Sequence, residues 1–319
     1  MATLTPSSPE PHAPEPERRQ PEIDPAALSE VQSLALRARI VADSALSGMH
    51  RSRHHGSSVE FAEHKEYAPG DDVRHLDWRA FARFDRDYVK RFEDESSLRA
   101  LLVVDGSASM GYPGPNAGRL SKLEYAKTLG GALSYVLARQ GDAVGIASYA
   151  EKLDVRVPAR ARRGHLQEVL AALDTLHPEG PTHLKGALDK LAEGLSRRSI
   201  VIVFSDLFDG ALQAVSSLGR LSARRHDVVL FHVLDADELT FPFEDATEFV
   251  GMETEDRVRV DARAIRDAYL DELARFLREA EQAARGARVE YIRARTDLPP
   301  GRLLRGFLAS RLRLRSVRR

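Results

Sequence analysis

Residues 101–109 read Leu-Leu-Val-Val-Asp-Gly-Ser-Ala-Ser, so a short apolar run leads directly into a turn that carries one carboxylate and two hydroxyl groups. The apolar run is typical of a buried strand. Oxygen atoms, here those of Asp105, Ser107 and Ser109, are the ligands that Mg²⁺ prefers, and Mg²⁺ keeps waters that another molecule's carboxylate can replace. The stretch therefore predicts a cation site. The alternative is that Asp105 and Ser107 are ordinary turn and helix-capping residues.

The pattern that follows this stretch indicates an α/β fold. From Leu98 onward, short apolar runs alternate with amphipathic helical patterns, as in parallel β-α-β units covered by helices on both faces. The predicted strands are 100–105, 143–149, 199–205, 228–234 and 288–292, and the predicted helices are 120–139, 165–176, 184–196, 211–224 and 262–285. Residues 153–157 are expected to pair antiparallel at an edge. We therefore predict a doubly wound, mostly parallel sheet flanked by helices.

Two further oxygen ligands are predicted at the same edge of this sheet. In doubly wound sheets, ligands bind beyond the carboxyl ends of the strands, near the point where the strand order reverses. Asp206 ends one predicted strand, and Thr182 lies just before a predicted helix. We expect the hydroxyl groups of Ser107, Ser109 and Thr182 to bind the cation directly, and Asp105 and Asp206 to bind it directly or through water. The expected cation is Mg²⁺, with Mn²⁺ or Ca²⁺ as alternatives.

The composition excludes several classes of function. The chain has 319 residues, a formal net charge of −1 and no cysteine, so disulfides and thiolate metal sites are excluded and nucleic acid is an improbable partner. No apolar run approaches the roughly 20 residues that cross a bilayer, and no secretory signal is recognised. We expect a cytoplasmic protein.

The chain divides into four predicted segments. Residues 1–25 form a proline-rich leader that is expected to be disordered, and residues 26–97 a helix, over 26–40, with a small irregular or β-rich subdomain. Residues 98–298 form the α/β domain, and residues 299–319 a basic helix or tail. The alternating charges of residues 70–83 are either a structural ion-pair network or a docking surface. The arginines of the tail are either a solvated face or a site for phosphates or an acidic partner.

The five candidate ligands carry a resemblance. Asp105, Ser107 and Ser109, with Thr182 and Asp206 downstream in order, resemble the metal-ion-dependent adhesion site of von Willebrand factor type A domains. All five ligand positions match. The resemblance implies a cation site that recognises a carboxylate of another protein.

A second resemblance covers nearly everything from about residue 33 to residue 311. Residues 56–61 (Gly-Ser-Ser-Val-Glu-Phe) and 66–78 (Glu-Tyr-Ala-Pro-Gly-Asp-Asp-Val-Arg-His-Leu-Asp-Trp), followed by Phe241-Pro242-Phe243 and Glu253-Thr254, resemble the bacterial domain of unknown function family 58. Such proteins are commonly encoded beside MoxR-type AAA+ ATPases. The resemblance therefore implies such an ATPase as a partner, together with a protein client that the sequence does not identify.

Two functions compete for the predicted site. The first is a metal-dependent protein-binding module, acting as an adaptor or co-chaperone of the ATPase. The second is a metal-assisted hydrolase or phosphatase that uses the same five residues. A hydrolase needs a nucleophile or a positioned base, and no nucleophile motif such as Gly-x-Ser-x-Gly surrounds Ser107. No catalytic motif is recognised elsewhere, so the sequence favours binding, with no catalytic residue assigned.

Overall fold

The structure is a computed structural model that describes residues 22–52, 64–66, 88–90, 98–113, 117–150, 152–208, 210–254 and 256–317. Residues 1–21 of the predicted leader and the charged block 70–83 lie outside the described residues. Of the predicted small subdomain, the structure describes one antiparallel pair, β1 (His64–Glu66) with β2 (Tyr88–Lys90).

A six-stranded sheet forms the centre of the molecule. Its strands lie in the order β10-β7-β6-β3-β4-β5. All neighbouring pairs are parallel except β4 with β5, which is antiparallel. The bounds are β3 (Arg99–Asp105), β4 (Ala143–Tyr149), β5 (Leu153–Arg160), β6 (Ile200–Ser205), β7 (Asp227–Leu234) and β10 (Glu290–Arg295).

Helices cover both faces of the sheet. They are α1 (Pro25–Ser29), α2 (Leu34–Ser52), α3 (Lys122–Arg139), α4 (His165–Asp174), α5 (Leu184–Gly194), α6 (Ala211–Ala223), α7 (Ala236–Thr240), α8 (Ala262–Gly286) and α9 (Pro300–Val317). Successive residues of β3 point to opposite faces: Leu102 packs in the core with α2, α3, α4 and α9, and Leu101 in the core with α5, α6 and α8. The predicted doubly wound, mostly parallel fold is confirmed.

The strand and helix bounds lie close to the predicted ones, with three differences. The last strand was predicted over 288–292 but runs from Glu290 to Arg295, because Arg288 has a positive φ of 56° that strand backbone does not allow. The single helix predicted over 26–40 is wrong. It is two helices, since Asp24 caps α1 through the N–H of Ala26 (3.0 Å) and Ser33 caps α2 through that of Leu36 (3.4 Å).

The third difference is the segment between β7 and α8, where no element is predicted: it holds the short helix α7 and an antiparallel hairpin. The hairpin comprises β8 (Ala246–Val250) and β9 (Arg257–Asp261) and lies between α7 and α8 in the chain. Its residues are half-buried or exposed. The alternation of apolar residues is therefore short and weak.

The strand order places two candidate ligands side by side. The chain runs outward from β3 to β4 and β5, then returns to β6 on the other side of β3, so the order reverses between β3 and β6. Val104 pairs with Phe204 in this register, which brings Asp105 and Asp206 to the same carboxyl edge. This edge is where doubly wound folds bind ligands.

Candidate functional site

The loop after β3 folds its polar side chains toward one point. Asp105, Ser107 and Ser109 are all buried. The N–H of Ser107 donates to Asp105 Oδ1 (3.0 Å), which turns the chain directly after the strand. The hydroxyl oxygens of Ser107 and Ser109 lie 3.1 Å apart. The three residues predicted from the contiguous motif therefore lie together.

Thr182 reaches the same point from a different loop. Its Oγ1 lies 3.3 Å from Asp105 Oδ1 and 3.5 Å from Oδ2. The N–H of Ala108 donates to the carbonyl of Gly180 (2.9 Å), so the two loops are joined by a backbone hydrogen bond as well. Thr182 is buried, whereas the neighbouring His183 is exposed at the start of α5.

Asp206 completes the group from the end of β6. Its carboxylate accepts from the N–H of Phe208 (3.2 Å), and the nearby Ser109 hydroxyl helps to lower its pKa. Its Oδ2 also accepts from Nζ of Lys122, in the first turn of α3, at 2.7 Å. The structure thus joins four of the five predicted residues by hydrogen bonds. It places the fifth, Asp206, close enough for the two carboxylates to repel one another.

Lys122 sets the charge of Asp206. Burial alone would raise the pKa of Asp206, but the adjacent Lys122 ammonium outweighs it and holds the pKa below its usual range. Lys122 is itself only 2% exposed and also donates to Glu238 Oε1 (2.6 Å). Burial would lower the pKa of Lys122, yet Asp206 and Glu238 together raise it above its ordinary value. Asp206 is therefore an ionised carboxylate that already has a cationic partner.

Among the residues that the structure describes, Asp105 has no such cationic partner. Its Oδ2 accepts from the hydroxyl of Tyr149 (2.9 Å) and from that of Ser205 (2.7 Å). Burial, followed by repulsion from Asp206, raises the pKa of Asp105 to about 6, although the hydrogen bonds of Ser107 and Ser205 oppose the rise. Two buried carboxylates near one another, of which one lacks a cation, form an environment that favours an additional positive charge.

The oxygen atoms fit a small divalent cation. Mg²⁺ binds its octahedral ligands at about 2.0–2.1 Å, which places neighbouring ligand oxygens about 3 Å apart. The separations of 3.1 Å between Ser107 and Ser109 and of 3.3 Å between Thr182 and Asp105 are close to that spacing. Among the described residues, no group of three or more His, Cys, Asp or Glu side chains is arranged to hold a metal. A cation here would depend on hydroxyl oxygens and two carboxylates.

Several residues that surround the site are not among those predicted from the sequence. Ser205 and Tyr149 end the strands that flank β3, and Lys122 begins a helix far away in sequence; each acts through a tertiary contact that no local pattern reveals. Glu253 lies in the hairpin turn, and its Oε2 accepts from the N–H of Thr182 at 2.9 Å. The sequence signal for this hairpin is the alternation of apolar and polar residues on either side of Glu253.

Known proteins resemble this chain over most of its length. A family described as "Protein of unknown function DUF58" matches residues 63–279. The chain belongs to this family. The uncharacterized proteins Mb1516 of Mycobacterium bovis and Rv1480 of Mycobacterium tuberculosis are each 29% identical to it over 298 residues, covering 91% of both chains. The predicted family resemblance is confirmed, and the region matched includes all five candidate ligands.

Solved structures with a similar fold include proteins of different descriptions. BatB from Bacteroides thetaiotaomicron is 14% identical and covers 67% of this chain and 98% of its own, with a TM-score of 0.44. An aerotolerance-related membrane protein from Bacteroides fragilis is 18% identical with the same coverage and a TM-score of 0.45. A von Willebrand factor type A structure from Catenulispora acidiphila is 13% identical and covers 43% of this chain and 34% of its own, with a TM-score of 0.32.

A helix that crosses a bilayer must be both long and apolar. Within the ranges that the structure describes, no helix has both the length and the apolar character needed to cross a membrane.

Proposed function

We propose that this member of the DUF58 family is a metal-dependent protein-binding module. Its cation is Mg²⁺, with Mn²⁺ or Ca²⁺ as substitutes, held by Asp105, Ser107, Ser109, Thr182 and Asp206. The observation that carries the proposal is the buried cluster of five oxygen-bearing side chains at the reversal point of the sheet, four of which are joined by hydrogen bonds. These side chains come from three separate loops, and ordinary capping does not require them to converge.

The charges of the network favour a carboxylate as the recognised group. Three of the five side chains are neutral hydroxyls, and the charge of Asp206 is already shared with Lys122. A divalent cation held this way keeps part of its positive charge and remains a Lewis acid for an incoming anionic oxygen. A Glu or Asp side chain of another protein supplies such an oxygen.

The surrounding groups support binding rather than hydrolysis. His232 lies close to Asp206, but its Nε2 donates to the backbone carbonyl of Asp206 (2.9 Å) and its Nδ1 accepts from the hydroxyl of Tyr291 (2.6 Å). Burial lowers the pKa of His232 to about 4. A neutral imidazole with both nitrogens engaged is a structural group and not a general base.

The proposed partner is a MoxR-type AAA+ ATPase, for which this protein acts in the cytoplasm as an adaptor or co-chaperone toward a protein client. This part of the proposal rests on membership of the family and on the absence of a phosphate-binding Gly-x-x-x-x-Gly-Lys-Ser/Thr motif in the sequence. ATP hydrolysis would then belong to the partner, and the metal site would supply the contact.

The experiment is a pull-down of a MoxR-type AAA+ ATPase by the full chain in Mg²⁺ and in EDTA. Thr182→Val removes one proposed ligand while keeping the shape of the side chain. Thr128→Val is the matched control, because the Thr128 side chain is equally buried but donates to the carbonyl of Glu124 within α3. We expect EDTA and Thr182→Val to release the ATPase and Thr128→Val to retain it. If the ATPase is retained in EDTA and by Thr182→Val, the metal-dependent contact is contradicted. If wild type does not capture the ATPase in Mg²⁺, the proposed partner is contradicted.

A further inference from the structure

The turn of the β8–β9 hairpin lies across two of the three loops that form the candidate site. On one side, Glu253 Oε2 accepts from the N–H of Thr182 (2.9 Å). On the other side, Met252 faces the loop after β3, since a Cβ atom placed on Gly111 would lie 3.6 Å from Met252 Cε. The hairpin turn therefore contacts the loops of both Ser109 and Thr182, and it does so through adjacent residues.

The hairpin is held in this position from both ends. At its turn, the N–H of Gly251 donates to the carbonyl of Asp256 (2.8 Å). Just beyond its base, the N–H of Ala262 donates to the carbonyl of Asp245 (3.3 Å). Near the turn, the ring of Phe241 stacks on Phe249 of β8 with centroids 5.7 Å apart and packs against Tyr269 of α8 at 4.6 Å. Glu253 is thus presented to the site by a packed element with its own hydrogen bonds.

One oxygen of Glu253 has no partner in the part of the chain that the structure describes. While Oε2 is bonded to Thr182, Oε1 is shielded from solvent and makes no hydrogen bond in the structure. A shielded carboxylate oxygen without a donor or a cation is costly and calls for a positively charged neighbour. Within the described residues, Glu253 Oε1 and Asp105 therefore both lack a positively charged neighbour.

We infer that Glu253 is an internal carboxylate ligand of this site, which seats the hairpin turn on the cation. This inference rests on the proposed function, because it requires a cation among the five residues. The Glu253 carboxylate then binds the cation at the position that a carboxylate of another protein would otherwise occupy. A partner's carboxylate would have to take its place.

The test compares wild type with Glu253→Gln in the full chain, using Mn²⁺ as the probe. Glutamine keeps a side-chain oxygen that accepts from the N–H of Thr182, so the hairpin should remain folded while its charge is lost. Glu248→Gln is the matched control, because Glu248 lies in β8 of the same hairpin and pairs with Arg257 at 3.6 Å. Calorimetric titration gives the Mn²⁺ affinity, and amide hydrogen exchange of residues 246–261 reports whether the hairpin is held.

We expect Mn²⁺ to slow exchange in the hairpin of wild type and of Glu248→Gln, but not in that of Glu253→Gln. The Mn²⁺ affinity of Glu253→Gln should fall about tenfold or more, since replacing even a group that only supports a metal ligand has an effect of that size. Equal Mn²⁺ affinity and equal hairpin exchange in wild type and Glu253→Gln would overturn the inference and leave the proposed function intact. Absence of Mn²⁺ binding in both proteins would overturn the proposed function and the inference with it.

Discussion

Replacing Lys122 by methionine tests how the charge of the site is balanced. Lys122 is 2% exposed, and its Nζ lies 2.7 Å from Asp206 and 2.6 Å from Glu238. Methionine fills a similar volume but leaves both carboxylates without their cation. At an effective dielectric constant of about 20, one contact of this length is an attraction of about 6 kcal/mol, which desolvation of the charges partly offsets. Breaking a buried pair by removing one partner costs about 3–5 kcal/mol.

We therefore expect Lys122→Met in EDTA to lose about 3–5 kcal/mol in the free energy of unfolding, measured by urea denaturation. Saturating Mn²⁺ should restore more stability to this variant than it adds to wild type, because a cation bound at the site partly replaces the lost ammonium charge. The structure offers a matched control in Lys127, a buried lysine of the same helix.

Lys127 is 3% exposed and pairs with Glu124 at 2.6 Å, away from the five candidate ligands. Glu124 also pairs with Arg37. Lys127→Met should therefore destabilise the protein while leaving the Mn²⁺ response of wild type unchanged. The reasoning is refuted if Lys122→Met loses less than about 1 kcal/mol, or if Mn²⁺ stabilises Lys122→Met and Lys127→Met by the same amount.

Three further predictions concern pH and glycine. Folding lowers the pKa of His232 to about 4, so the free energy of unfolding falls as the pH drops from about 6.5 to 4. Folding raises the pKa of Asp105 to about 6, so Asp105 adds to the free energy of unfolding as the pH drops from 6 to about 3.8. Asp105→Asn removes the Asp105 contribution and leaves that of His232, so without metal its free energy of unfolding should fall by about 3 kcal/mol more than that of wild type between pH 6.5 and 4. The same pH dependence of unfolding in both proteins, measured by urea denaturation, would contradict this. Gly145→Ala should cost about 1–3 kcal/mol, because its Cβ would lie 2.5 Å from the backbone nitrogen of Ala159 in β5; an unchanged melting temperature would refute it. Gly186→Ala, in an exposed position of α5 with open space around it, should instead stabilise by up to about 1 kcal/mol in the same assay.

The central sheet was predictable because its strands are buried on both faces. Each of the four inner strands is a continuous apolar run bounded by turns, a pattern that depends little on distant contacts. The β8–β9 hairpin is half exposed, so its apolar residues are few and its pattern is weak. The helix break before Ser33 depends on two caps, which a periodic apolar pattern does not record.

The candidate ligands were also predictable from the sequence, whereas the charged groups around them were not. Asp105, Ser107 and Ser109 are neighbours in sequence, and Thr182 and Asp206 follow from the rule that ligands bind at the carboxyl ends of strands. The groups that set the charge do not follow from any such rule. Lys122 and Glu253 reach the site through contacts 84 and 71 residues apart in sequence, and only the packed fold reveals them.

The most direct test of the central claim is calorimetric titration of Mn²⁺ into the metal-free full chain and into the double variant Ser107→Ala with Ser109→Ala. The backbone of this loop is held by hydrogen bonds that alanine keeps, including that from the N–H of Ser107 to Asp105. We predict that wild type binds one Mn²⁺ per chain and that the double variant binds it at least about tenfold more weakly. The same affinity and stoichiometry in both proteins, or no binding by wild type, would contradict the account.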